Sequence, residues 1–177
     1  MPGPRRTGSP TFTLSPVFAA LIASFVFALP SHARELHGRV VGIADGDTLT
    51  VLVHEERVRV RLAEIDAPER AQPYGTRARQ SLAELCHDRI ATVIEAGKDR
   101  YGRTVGIVSC DGVVANREQV RRGLAWVYSK YTRRNSSLYA VEREARTEAR
   151  GLWQADDPQP PWEWRSRHRA SYARRHA

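Results

Sequence analysis

At 177 residues, the chain has a length that favours one domain. Its formal charge of +8 rests on arginine, which far outnumbers lysine. Two cysteines and six scattered histidines exclude a zinc site built from either, and no Gly-rich phosphate loop or Gly-x-Ser-x-Gly elbow occurs.

In chain order, the first 33 residues differ in kind from the rest. "MPGPRR" is basic, "FTLSPVFAALIASFVFALP" is apolar and uncharged, and "SHA" at 31–33 offers small residues where a signal peptidase reads. This predicts a secretory signal peptide over residues 1–33, cleaved after Ala33, and export to the periplasm or beyond. An uncleaved membrane anchor is the alternative, but the strongly apolar run Val17–Leu29 falls short of the roughly 20 residues that span a bilayer. Cleavage would leave 144 residues, enough for one core.

Val40–Ile43, Leu49–Val53 and Arg57–Ile65 read as three consecutive strands, with "DGDT" and "HEER" as the turns between them. A helical period follows from Tyr74 to His87, with Ala78, Leu82 and Leu85 on one face. Ile90–Glu95 and Thr104–Ser109 read as two further strands around "AGKDRYGR". A short helix is expected over Asn116–Gly123, with Asn116 as its N-cap, and a last one from about Ser137 to Arg150. Glu142 falls on the apolar stripe of that last helix. A carboxylate there needs partners, so it reads as a structural tie to backbone amides or an arginine. Trp126 reads as core. Three strands, a helix, two strands and two helices suit an α+β fold: a five-stranded OB-type Greek-key barrel with about three helices.

The barrel domain is expected over residues 34–155, with a proline-rich and basic C-terminal tail over 156–177 that wraps the surface and then frays. Most of the basic surplus of the exported part sits in that tail, +4 over residues 162–177 against +2 over 34–161. Arginines mixed with aromatics suit polyanions such as nucleic acid; a merely solvated tail is the alternative. Cys86 and Cys110 would form a disulfide in an oxidising compartment, worth about 3 kcal/mol by chain entropy, or stay as two buried thiols.

The carboxylates are concentrated where two strands run out. Asp45 and Asp47 lie in "DGDT", and Asp66 and Glu69 lie in "RLAEIDAPE", a few residues after Arg61. Oxygen-only clusters suit a hard cation, calcium or magnesium. Taken singly, each motif is a turn as often as a ligand set.

Taken together and in order, "DGDT", "RLAEIDAPE", "YG" opening a helix, "DRYGR" and "RRGLAW" resemble the staphylococcal nuclease-like (thermonuclease) family. The resemblance runs from about Val40 to Trp153. It implies an OB-type barrel that hydrolyses DNA, preferably single-stranded, and RNA with calcium, leaving 3′-phosphate ends. It places calcium on Asp47, Asp66 and the backbone carbonyl of Ala67. Glu69 matches the general base, Arg61 and Arg103 match the phosphate-binding arginines, and Tyr101 and Tyr131 match aromatic positions around the nucleotide. Ser129 stands where the best-known member has a second tyrosine, and the loop "RAQPYG" is shorter than in that member, which bears on base preference. A monomer without a stable protein partner is expected. The rival reading is a noncatalytic nucleic-acid-binding OB-type domain, which would lack the glutamate or an arginine.

Overall fold

The computed structural model describes Gly3 and residues 34–176, with side chains through Ala170. The expected signal peptide and its cleavage site lie outside the described residues.

β-Branched residues at every second position give the barrel its inner wall. Val40, Val51, Val60, Val93 and Val108 are fully buried, each from a different strand. The strands are β1 (Glu35–Ile43), β2 (Thr48–Val53), β3 (Glu56–Leu62), β4 (Ile65–Asp66), β5 (Ile90–Lys98), β6 (Thr104–Cys110), β7 (Val113–Val114) and β8 (Trp126–Val127). The main sheet runs β3-β2-β1-β5-β6-β7, and β3 also pairs with β6. That last pairing is parallel, with Arg61 opposite Val105, and it closes β3, β2, β1, β5 and β6 into a five-stranded barrel. The α+β, OB-type architecture expected from the sequence is the one the chain adopts.

Among the described residues four helices pack around it: α1 (Gly75–Cys86), α2 (Ala115–Arg121), α3 (Leu138–Thr147) and α4 (Pro161–His176), with a 3-10 turn at Gly151–Gln154. Ala78, Leu82 and Leu85 of α1 face the core, as their spacing requires. Cys86 ends α1 and Cys110 ends β6; they are disulfide-bonded, with Cα atoms 5.3 Å apart. Trp126 is buried edge-on against Trp153. Glu142 accepts from the Val127 amide at 2.9 Å and pairs with Arg146 at 3.1 Å, so it is a structural tie.

Three elements depart from the sequence reading. Asn116 is not the cap of α2: Val114 takes that position, and Asn116 is buried inside the helix. Its amide donates to Ala63 O and Gly106 O and accepts from Val108 N, satisfying backbone groups just past β3 and in the middle of β6. Those buried groups would cost more unpaired than one helix end would gain from a cap. The third strand stops at Leu62 rather than Ile65, because Glu64 takes a left-handed φ of 65°. The tail is helical from Pro161 onward. Proline suits a first helical position, and Glu163 in the first turn faces Arg167 one turn later at 3.7 Å.

Candidate active site

The break at Glu64 assembles the site. Arg61 and Asp66 are five residues apart, so an unbroken strand would point them to opposite faces. The left-handed Glu64 resets the alternation, and its carbonyl is held by Tyr128 N at 2.8 Å and Thr132 Oγ1 at 2.9 Å. The chain resumes as β4, where Asp66 pairs with Trp126 of β8. Arg61 Nη2 then donates to Asp66 Oδ1 at 2.9 Å and to Asp47 Oδ2 at 3.3 Å.

Asp47 is fixed from the "DGDT" turn. Its Oδ1 accepts from Thr48 Oγ1 at 2.9 Å and its Oδ2 from the Ala67 amide at 3.1 Å. Gly46 is required there by space. A Cβ would stand 2.6 Å from Ala78 Cβ and 2.7 Å from Ala67 Cβ. The buried side chain of Gln119 clamps the same turn, donating to Gly46 O at 2.7 Å and Ala78 O at 2.9 Å while accepting from Ser81 Oγ. Nothing in the local pattern around Gln119 marks this role.

Arg103 reaches the site from the start of β6. Its Nε lies 2.7 Å from Asp99 Oδ2, and its Nη1 donates to Thr48 Oγ1 at 3.3 Å, one step from Asp47. Asp99 has some burial working against its charge, but the Arg103 hydrogen bonds hold its carboxyl below the usual range. Tyr101 is exposed beside it, with the Arg100 and Arg103 guanidiniums 4.8 and 5.7 Å from its ring centre. Tyr131 is also exposed and meets Tyr128 edge-on at 5.0 Å. Both aromatic positions are open surface rather than core.

Glu69 begins the loop before α1. Its amide donates to Gln72 Oε1 at 3.1 Å, and Gln72 N returns a bond to Glu69 O at 2.8 Å. Gly75 packs beneath this turn, where a Cβ would fall 2.0 Å from Glu69 O. The Glu69 carboxylate is drawn to the others by a residue outside the sequence-derived set. Arg165 of α4 donates through Nη1 to Glu69 Oε1 at 2.7 Å and through Nη2 to Asp66 Oδ2 at 2.8 Å. The only hint in the sequence is an arginine among tryptophans in "WEWR".

The electrostatics follow from burial. Asp66 is 1% exposed; that burial, with the charge of Asp47 added, pushes its carboxyl upward more than Arg165 and Arg61 bring it down. Asp45 is pushed up to about 6, first by burial and then by Asp47. Arg61 is partly buried, which works against its charge, yet Asp47 and Asp66 outweigh this and tighten its hold on its proton. Buried carboxylates of this kind demand positive charge. Among the described residues no three His, Cys, Asp or Glu side chains converge as a complete metal cage. The metal-ligating groups that do meet here, the carboxylates of Asp47 and Asp66, are both oxygen. They suit a hard cation whose remaining positions go to water and substrate. Such an arrangement can hold a cation and a phosphate side by side, with a half-exposed carboxylate at the margin.

Residues 59–155 match the family model described as staphylococcal nuclease homologue. The chain is 42% identical over 144 residues to an uncharacterized endonuclease of Escherichia coli O157:H7, covering 81% of this chain and 94% of that protein. It is 41% identical over 162 residues to the micrococcal nuclease of Shigella flexneri, covering 86% and 91%. It is also 43% identical over 157 residues to protein ParB of Escherichia coli, covering 83% and 88%. A barrel closed through β3 and β6, carboxylates and arginines gathered at one end of it, and matches of this extent agree: the chain belongs to the staphylococcal nuclease family.

Proposed function

We propose that the chain is an exported nuclease that hydrolyses phosphodiester bonds of DNA, single-stranded in preference, and of RNA, and that it requires calcium. The observation that carries this reading is Arg61 pinned between two buried carboxylates, Asp47 and Asp66, with Arg103 and Glu69 at the margins. Relatives named as nucleases support it.

Asp47, Asp66 and the Ala67 carbonyl would hold calcium, which when bound supplies a Lewis acid beside the scissile phosphate. Arg61 and Arg103 present forked donors to phosphoryl oxygens, a geometry that lysine cannot imitate. Asp47, Asp66 and Asp99 fix the two guanidiniums in advance, so little reorganisation is left for the moment when charge develops. Glu69 takes a proton from the attacking water, for which its carboxylate must be free and ionised. The 5′ oxygen leaves, and a 3′-phosphate end remains. Tyr101 and Tyr131 offer exposed ring faces on which bases stack. Export to the periplasm or beyond, and action as a monomer, complete the proposal.

Digestion of single-stranded DNA by the purified protein tests it. Cleavage should occur with calcium and stop with a calcium-specific chelator. Full activity in magnesium with calcium chelated would overturn the metal assignment.

A further inference from the structure

The C-terminal helix places its own cation on the acidic site. Contacts among the described residues dock it. Gln72 Nε2 donates to Gln159 O at 2.5 Å just ahead of α4. Trp162 stacks on Tyr128 with ring centres 5.3 Å apart and planes 1° from parallel. Arg165 then forks onto Asp66 and Glu69.

The fork leaves little of Asp66 for another ligand and occupies one oxygen of Glu69. Asp66 Oδ2 accepts from Arg165 Nη2, and Asp66 Oδ1 accepts from both Arg61 at 2.9 Å and Arg165 Nη1 at 3.2 Å. Glu69 Oε1 accepts from the same Nη1 at 2.7 Å. A divalent cation on Asp66 would share those oxygens with a guanidinium and be repelled by it at contact distance. Glu69 likewise has Oε1 occupied by a guanidinium where a water would otherwise bind.

The helix is attached in a way that allows release. Neither Trp162 nor Arg165 belongs to the barrel's core cluster, and the family match ends at residue 155, ahead of α4. Arg167 and Arg169, exposed on the same helix, add positive charge that a polyanion would attract away from the acidic cluster.

We propose that α4 is an autoinhibitory latch: Arg165 sits on the carboxylates that would bind the metal and activate water, and calcium must displace it. This rests on the calcium reading given above. A latch of this kind lowers apparent affinity in proportion to the fraction of molecules in which it is open. Calcium binding to the full chain without substrate, measured by titration calorimetry, tests it. Arg165→Gln should tighten binding by roughly tenfold or more, and Trp162→Ala, which loosens the dock without touching the carboxylates, should tighten it by severalfold. Hydrogen exchange of the α4 amides in the wild type should quicken when calcium is added.

Unchanged or weaker calcium affinity in both variants, or α4 protection unaltered by calcium, would overturn the latch while leaving the calcium site standing. Calcium binding in neither the wild type nor Arg165→Gln would instead overturn the calcium reading, and the latch with it. Should Arg165→Gln fail to fold, Trp162→Ala alone decides.

Discussion

Two arginines meet on Asp66, and they arrive by different routes. Arg61 is carried by a central barrel strand, hydrogen-bonded on both sides through β2 and β6, and its side chain is 15% exposed. Arg165 comes from a helix outside the barrel, docked by the Trp162–Tyr128 stack among other contacts, and its side chain is 33% exposed. The first cannot leave without opening the barrel; the second can leave by lifting a helix. Identical side chains on one carboxylate can thus be fixture and visitor, and the backbone behind each decides which.

The largest expected effect tests the fixed half. Glu69→Gln should lower kcat by about a thousandfold and Arg61→Lys by a hundredfold or more, equivalent to roughly 3–4 kcal/mol of barrier. Arg165→Gln at saturating calcium should keep a turnover near that of the wild type. Steady-state assays on single-stranded DNA measure all three. Similar losses for Arg61→Lys and Arg165→Gln would erase the distinction between fixture and visitor.

Next comes the scaffold that fixes Arg61 and its carboxylates. Reducing the Cys86–Cys110 bond frees a 24-residue separation and should cost about 3 kcal/mol, read from urea melts with and without reductant. If only the visitor's side of the site depended on the staple, the melts would coincide. Gly46→Ala should cost about 2 kcal/mol through overpacking and should weaken calcium binding, since the added methyl presses on Ala67 and Ala78. An alanine that melts like the wild type would mean the "DGDT" turn yields as easily as α4.

The smallest effect lies away from both arginines. Glu118 on α2 accepts hydrogen bonds from Arg121 and then Arg122, which hold its carboxyl at about 2. A folded pKa below the ordinary 4.5 contributes stability in full above pH 4.5, and that contribution disappears as the pH falls through 2. Glu118→Gln should therefore lower the melting temperature at pH 7 by the equivalent of less than about 1 kcal/mol, with the difference closing towards pH 2. A constant difference across that range would assign the loss to something other than charge.

Legibility in the sequence followed the range of the interaction. Alternation in β3 and β6 and the spacing of Ala78, Leu82 and Leu85 are local, and they were readable because buried faces impose a period. The carboxylates and Arg61 were readable because they cluster within one or two turns of the chain. The left-handed Glu64 was not, since glutamate carries no local preference for that conformation and Tyr128 and Thr132 impose it from afar. Asn116 suits a cap by its local position, while its real partners are Ala63, just past β3, and Gly106 on β6. Arg165 reaches Asp66 across 99 positions, and no pattern within its helix encodes that.

The parallel closure of β3 on β6 has a consequence in time. Val60 meets Thr104 only after β5 and β6 have been made, and such distant pairings are slow because the loop must close before any contact repays it. A chain still emerging from its ribosome holds Asp47, Arg61, Asp66 and Glu69 long before it holds Arg103 against them. Until β6 is in place there is a cluster of acids without its second anion clamp. The last seam of the barrel is therefore the moment at which the site comes into being, and a chain interrupted before Cys110 carries the parts without the tool.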